Sequence, residues 1–262
     1  MRKVVFVTGA SAGIGRATAI AFARAGYAVA AVARSGERLE RLRQQVESRL
    51  GAPLLPLVAD VAERDQVAAA VEETVARFGG IDVLVANAGI GHYGRVVETS
   101  PEAFERLWRT NVMGVVHAVQ LAVPVMREGG GGHIAIVGSV VGHRSWPYHG
   151  PYAATKFALV ALSQALRAEL AQDGITVTLI SPGSTKTEFF ERAQVEGEYR
   201  PRPIGPSQKP STVARAILRS VERPKAEVVT VPGLRGMLLL GEMLPGAADR
   251  VARWWARRQD RR

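Results

Sequence analysis

Thr8-Gly9-Ala10-Ser11-Ala12-Gly13-Ile14-Gly15 is the stretch on which the reading of this chain turns. It is entered from an apolar run, Val4-Val5-Phe6-Val7, and it leads into an apolar pattern of helical period. Glycines in such a place let the backbone turn tightly and come close to a ligand. The helix that follows aims its unpaired N–H groups at whatever lies on the turn, which suits a pyrophosphate. A plain strand-to-helix turn also uses glycines, so the motif has to be weighed with its surroundings.

Outward from that turn, short Val/Ile/Ala-rich runs alternate with longer helical stretches. Strands are expected over residues 3–8, 28–33, 54–59, 82–86, 133–138, 176–181 and 227–231. Helices are expected over 13–25, 37–50, 64–78, 101–127, 152–172 and 211–222. Continuous apolar runs mark strands buried on both faces, as in a parallel sheet flanked by helices. The pattern predicts an α/β fold, a doubly wound Rossmann-like three-layer sandwich with a seven-stranded parallel sheet. Ligands bind such sheets at the loops that follow the strands. The chain of 262 residues suits one such domain over 1–232, with the proline-rich and charged segment 184–210 as a lid. Residues 233–262 are expected to form a C-terminal helical extension packed on the same domain or on a neighbouring subunit.

Hydrophobic residues at 47% and charged residues at 22% argue against wholesale disorder. The lack of cysteine excludes a disulfide scaffold, a thiolate zinc site and a cysteine nucleophile, and fits a reducing compartment. The first strand opens at once and is read as leaving no room for a signal peptide. No apolar run nears the roughly 20 residues that span a bilayer, so a soluble, cytoplasmic protein is expected. The formal charge of +10 is spread along the chain without aromatic platforms, and no nucleic-acid partner is expected. His92, His117, His133, His143 and His149 lack metal-ligand spacing, so no catalytic metal is expected. His143 and His149 are candidates for substrate contact, with a solvated loop as the alternative.

The residues that carry chemistry lie further on. Ser139 ends the fifth expected strand, and Tyr152-Ala153-Ala154-Thr155-Lys156 follows it. Tyrosine and lysine at i and i+4 share one helix face. A free phenol, with a pKa of about 10, is a weak proton donor near neutrality, and an adjacent ammonium lowers that pKa. Y-x-x-x-K alone arises by chance in amphipathic helices; with Ser139 before it, the pattern becomes specific.

Together, the T-G-x-x-x-G-x-G turn, Asn87-Ala88-Gly89, Asn111, Ser139 and the Tyr152/Lys156 pair resemble the short-chain dehydrogenase/reductase family from the first strand to the seventh. The resemblance implies an oxidoreductase that moves a hydride between a nicotinamide cofactor and a carbonyl or secondary alcohol. It assigns Tyr152 as proton donor and Ser139 as the group that positions the substrate oxygen. Lys156 binds the nicotinamide ribose and assists Tyr152, and Asn111 supports a proton relay to that lysine. Thr8, Gly9, Ser11, Gly13, Ile14 and Gly15 form the cofactor turn, Asp60 and Val61 meet the adenine, and Asn87, Ala88 and Gly89 lie along the adenosine. Asp60-Val61-Ala62-Glu63 also reads as a helix capping box, and Asn87 also reads as a brace of the sheet. Pro182, Gly183, Thr185 and Thr187 match the family's P-G-x-x-x-T segment beside the nicotinamide carboxamide.

The second strand ends at Ala33-Arg34, where an NAD enzyme carries an acid for the ribose hydroxyls. Arg34 suits a 2′-phosphate instead, so NADP(H) is expected, although Ala12 stands where many NADP-preferring relatives have a second basic residue. A solvated arginine at the strand end is the plainer reading. Tyr93, Val141, Trp146, Phe189 and Phe190 predict a lipophilic ketone or aldehyde as substrate. The alternative to an enzyme is a non-catalytic NADP(H)-sensing module. A homodimer or homotetramer is expected through helices 101–127 and 152–172. The tail, with its leucines, methionines and Trp254-Trp255 among arginines, reads first as a lid or subunit contact. Peripheral membrane contact is the less favoured alternative.

Overall fold

The computed structural model describes residues 2–197 and 205–259. Positions 198–204 of the expected lid, 260–262 of the tail and the Leu239 side chain lie outside the described residues. The first half runs β1 (Val4–Thr8), α1 (Gly13–Arg24), β2 (Ala28–Ala33), α2 (Gly36–Leu50), β3 (Leu54–Val58), α3 (Arg64–Phe78), β4 (Val83–Ala86) and β5 (His92–Tyr93). Then follow α4 (Pro101–Trp108), α5 (Gly114–Glu128), β6 (Gly132–Val137), α6 (Gly150–Glu169), β7 (Ile175–Ser181) and β8 (Gln194–Val195). The chain closes with α7 (Pro210–Glu222), β9 (Glu227–Val229), α8 (Leu234–Met243) and α9 (Pro245–Gln259).

Seven strands pair in parallel in the order β3-β2-β1-β4-β6-β7-β9, as the apolar runs predict. Side chains alternate between two cores, because successive residues of a strand face opposite ways. Phe6, Leu84, Ile134 and Ile136 pack on the side of α3, α5 and α6. Val5, Val7, Val83 and Val85 pack on the side of α1, α2 and α7. A three-layer sandwich results. A second, two-stranded sheet joins β5 to β8 and ties the segment after β7 to the loop after β4.

Two local expectations are corrected. The helix expected over 101–127 runs on without a gap, but it passes through a π turn, Arg109–Met113, between α4 and α5. There Asn111 turns inward and bonds both backbone groups of Ile90: its Oδ1 accepts from Ile90 N at 2.8 Å and its Nδ2 donates to Ile90 O at 3.0 Å. That pair of bonds rewards the extra residue in the turn. The capping box is also absent. Helix α3 starts at Arg64 with no side-chain cap at Glu63, and Asp60 Oδ1 instead accepts from Ala62 N at 3.0 Å.

The strand order reverses between β1 and β4, and the two strand ends are bound there. Thr8 Oγ1 accepts from Asn87 N at 2.9 Å and Ala88 N at 3.0 Å, while Asn87 Nδ2 donates to Thr8 O at 2.9 Å. Asn87 therefore braces the sheet, one of the two roles open to it. Helix α1 comes so close to this junction that a Cβ on Gly15 would overlap the Gly9 carbonyl oxygen and lie 2.6 Å from Asn87 Nδ2. Gly15→Ala is therefore expected to cost about 1–3 kcal/mol through overpacking, read as a lowered denaturant midpoint. An unchanged midpoint would show that the junction yields.

Candidate active site

A cavity of about 1140 Å³ runs along the carboxyl ends of the strands, across the point where their order reverses. At one end lie Arg34, Ser35 and Asp60; Ser11, Gly13 and Ile14 line its middle; Ser139, Tyr152 and Lys156 stand at the other end. Of the sequence candidates, Gly9, Val61, Asn87, Ala88, Gly89, Pro182, Gly183, Thr185 and Thr187 also line it. Thr8, Gly15 and Asn111 do not reach the cavity wall and act on the residues that do. Asn111 is fully buried, and its Nδ2 also donates to Thr155 Oγ1 at 3.1 Å.

The glycine turn has the form a pyrophosphate requires. Gly9 sits at a φ of +67°, which favours glycine, and a Cβ there would lie 2.9 Å from Ala88 Cα. Gly13 faces Thr187, whose Cγ2 would be 3.0 Å from a Cβ at Gly13. The cavity, long and lined by backbone near helix α1, fits an extended dinucleotide. Arg34 Nη1 lies 3.5 Å from Asp60 Oδ2, with 69% of the arginine side chain exposed. This exposed pair is worth little to stability.

At the other end, burial acts on both titratable groups. Tyr152 keeps some surface on the cavity, but protein crowds its phenol. Burial raises its pKa, and a hydrogen bond with Ser139 works in the opposite direction. Lys156 is buried, with Nζ 3.1 Å from Val137 O and 5.6 Å from the centre of the Tyr152 ring. Burial pushes its ammonium down to about 8. The protein alone therefore does not lower the phenol in the way expected of an ammonium neighbour. Desolvation outweighs the Ser139 hydrogen bond.

The apolar candidates Tyr93, Val141, Trp146, Phe189 and Phe190 all line the cavity around Tyr152. Phe189 lies 5.6 Å from the Tyr152 ring, and Tyr93 stacks on Phe190 at 6.2 Å. The two histidines part company. His149 is buried, lines the cavity and meets Tyr93 edge-on at 4.7 Å. His143 instead turns away to Glu227, with Nε2 2.6 Å from Oε1, an oxygen that also accepts from Ser181 Oγ at 2.5 Å. Candidate substrate contact is thus replaced, for His143, by anchoring of the loop after Ser139 to β9. Thr155 and Glu227 escape the sequence reading because their partners lie 44 and 84 residues away.

Comparison with known proteins agrees with this geometry. The family described as short chain dehydrogenase matches residues 3–196. The chain is 34% identical, over 85% of its length, to the glycine betaine reductase ATRR of Emericella nidulans, but spans only 18% of that protein. It is 36% identical to the 3-oxoacyl-(acyl-carrier-protein) reductase FabG of Thermotoga maritima, covering 82% of this chain and 89% of that one. An alcohol dehydrogenase of the archaeon Thermococcus sibiricus, solved with 5-hydroxy-NADP, superposes at a TM-score of 0.78 with 32% identity, covering 87% and 96% of the two chains. A short chain dehydrogenase/reductase of Burkholderia phymatum, solved in complex with NAD, superposes at 0.85 with 25% identity over 94% and 95%. Fold and cavity define a Rossmann-type nucleotide-binding oxidoreductase. The chain belongs to the short-chain dehydrogenase/reductase family, whose members bind nicotinamide cofactors and act on small carbonyl or alcohol substrates.

The low Lys156 pKa has a measurable consequence. Between about 8 and the ordinary 10.5 the unfolded chain carries a proton that the folded chain lacks. Stability supplied through this group therefore rises with pH across that window. Parent protein should gain on Lys156→Met between those limits, by up to about 1.4 kcal/mol per pH unit in denaturant unfolding. Parallel curves would contradict the burial of this charge.

Proposed function

We propose that this chain transfers a hydride between NADP(H) and a lipophilic ketone or aldehyde, or the corresponding secondary alcohol, and works mainly as a cytoplasmic reductase. The observation that carries the proposal is the meeting of Ser139, Tyr152 and Lys156 at one end of a cavity whose other end holds the glycine turn and Arg34. A bound nicotinamide would supply the hydride. Tyr152 Oη gives its proton to the substrate oxygen, and burial keeps that phenol protonated until it is needed. Ser139 holds the same oxygen beside the phenol. Lys156 binds the nicotinamide ribose hydroxyls, and Asn111 holds the Ile90 backbone next to it. Thr185 and Thr187, which line the cavity, would hold the carboxamide of a bound nicotinamide, and Phe189, Phe190 and Trp146 favour an apolar substrate body.

Arg34 supports NADP(H) over NAD(H). It stands at the adenosine end of the cavity, where Asp60 steadies its guanidinium without burying it, and Ala33 offers no acid for ribose hydroxyls. Residues 1–232 form the catalytic body in this reading, and 233–262 an extension packed on it. Ion pairing of Arg144 with Asp249, and Trp146 against Trp255 at 5.8 Å, support that packing.

NADPH is expected to bind at least about tenfold more tightly than NADH, and Arg34→Asp to erase or reverse the preference. Equal affinities in the parent would refute the assignment. Tyr152→Phe should lose about 10²-fold or more in turnover of a carbonyl panel, followed by NADPH absorbance, while still binding NADPH. The helix faces that carry the exposed Trp108 and Phe157 are proposed to pair subunits into a dimer or tetramer. Light scattering that shows only monomer at micromolar concentration would contradict this.

A further inference from the structure

Helices α8 and α9 roof the substrate end of the cavity. Met237, Leu240, Leu244 and Val251 line it, yet they expose 69%, 59%, 58% and 53% of their surface. They are therefore the rim of an open mouth. Met243, 77% exposed, and Trp254, 54% exposed, extend the apolar surface outward from that rim. On α9, Arg250, Arg253 and Arg257 are exposed and follow one another at i, i+3 and i+7, so they form a cationic stripe beside Val251 and Trp254. Residues 233–262 carry seven arginines against three acids, and one of those acids, Asp249, is already paired with Arg144.

A cluster of large exposed apolar side chains is rare on a monomer unless something covers it. Here the apolar rim and the arginine stripe lie side by side. That pairing matches a bilayer surface, where apolar side chains enter the headgroup boundary and arginines meet lipid phosphates. A second copy of this chain fits less well, since two-fold pairing through this face would bring two arginine stripes of like charge into one interface. Among the described residues no helix is long and apolar enough to cross a membrane, and the break at Pro245 keeps α8 and α9 short. Contact in the plane of the surface is the geometry that remains.

We propose that the cavity mouth docks on an anionic phospholipid bilayer, so that a lipophilic carbonyl substrate enters the cavity directly from the membrane. Docking stands on the tail's surface alone, whereas the entry route rests on the reductase reading above. The test is co-sedimentation of the full chain with vesicles of phosphatidylcholine, or of phosphatidylcholine mixed with phosphatidylglycerol, at low and high salt. Binding to the mixed vesicles at low salt, and its loss at high salt, is expected. The triple variant Arg250→Glu/Arg253→Glu/Arg257→Glu should weaken it by about tenfold or more, and Met243→Ser by about fourfold. None of these four residues lines the cavity, so both variants should keep the parent's turnover of a short, soluble carbonyl. Absence of binding at low salt, equal binding to both vesicle types, or a triple variant that binds like the parent would overturn the proposal. A triple variant that changes only the oligomer size would make the mouth a contact between copies instead. A parent that turns over soluble carbonyl yet ignores vesicles sinks docking alone, and one that binds vesicles without turnover sinks the reductase reading alone.

Discussion

The bond between the ends of β1 and β4 is the constraint on which the rest of the site depends. The connections that follow β1 and β4 lead away to opposite sides of this junction, so the loops above it part and leave a crevice. A crevice between two loops is useful only if its walls stay in place. Thr8 and Asn87 hold them through three short hydrogen bonds that join backbone to side chain in both directions. Gly15 then lets α1 press against the same point, which brings the N–H groups of its first turn to the cavity floor. Asn111 repeats the device on the next loop, where its amide binds both backbone groups of Ile90. Two asparagines thus set the positions of the two loops between which a dinucleotide fits.

Against that rigid floor, burial sets the protonation of the reacting end. Removal from water favours the neutral form of both Tyr152 and Lys156, raising one and lowering the other. Only a Ser139 hydrogen bond opposes the rise of the phenol within the protein. A phenol that keeps its proton inside the cavity suits the donor role proposed for Tyr152. The lysine, at about 8, lies much nearer physiological pH than an ordinary lysine.

The tail joins this end of the cavity to the outside. Arg144 and Trp146 lie on the loop that follows Ser139, and they hold Asp249 and Trp255 of α9. The same loop is anchored on its other side, where His143 meets Glu227 at the start of β9. Movement of α9 would therefore be felt by the loop that carries Ser139. The roof over the cavity and the loop that carries Ser139 share their supports.

Local pattern alone determined the architecture and most of the cavity's lining. Seven apolar runs with helices between them are buried here as a parallel sheet between two helical layers. Glycines at 9, 13 and 15, Ser139 and the Tyr152/Lys156 pair sit at places that such a sheet brings together along one edge. What only tertiary structure decided were contacts between distant segments, for which a sequence has no local signature. The π turn at Arg109–Met113 forms because Ile90 offers Asn111 both of its backbone groups. His143 leaves the cavity because Glu227, from another strand, offers a stronger partner than solvent. Asp60 turns to Arg34 and Ala62 rather than capping α3, and within the protein burial raises the Tyr152 phenol. Hydrophobic period is written residue by residue, whereas the choice of a hydrogen-bond partner or the depth of a charge depends on everything packed around it.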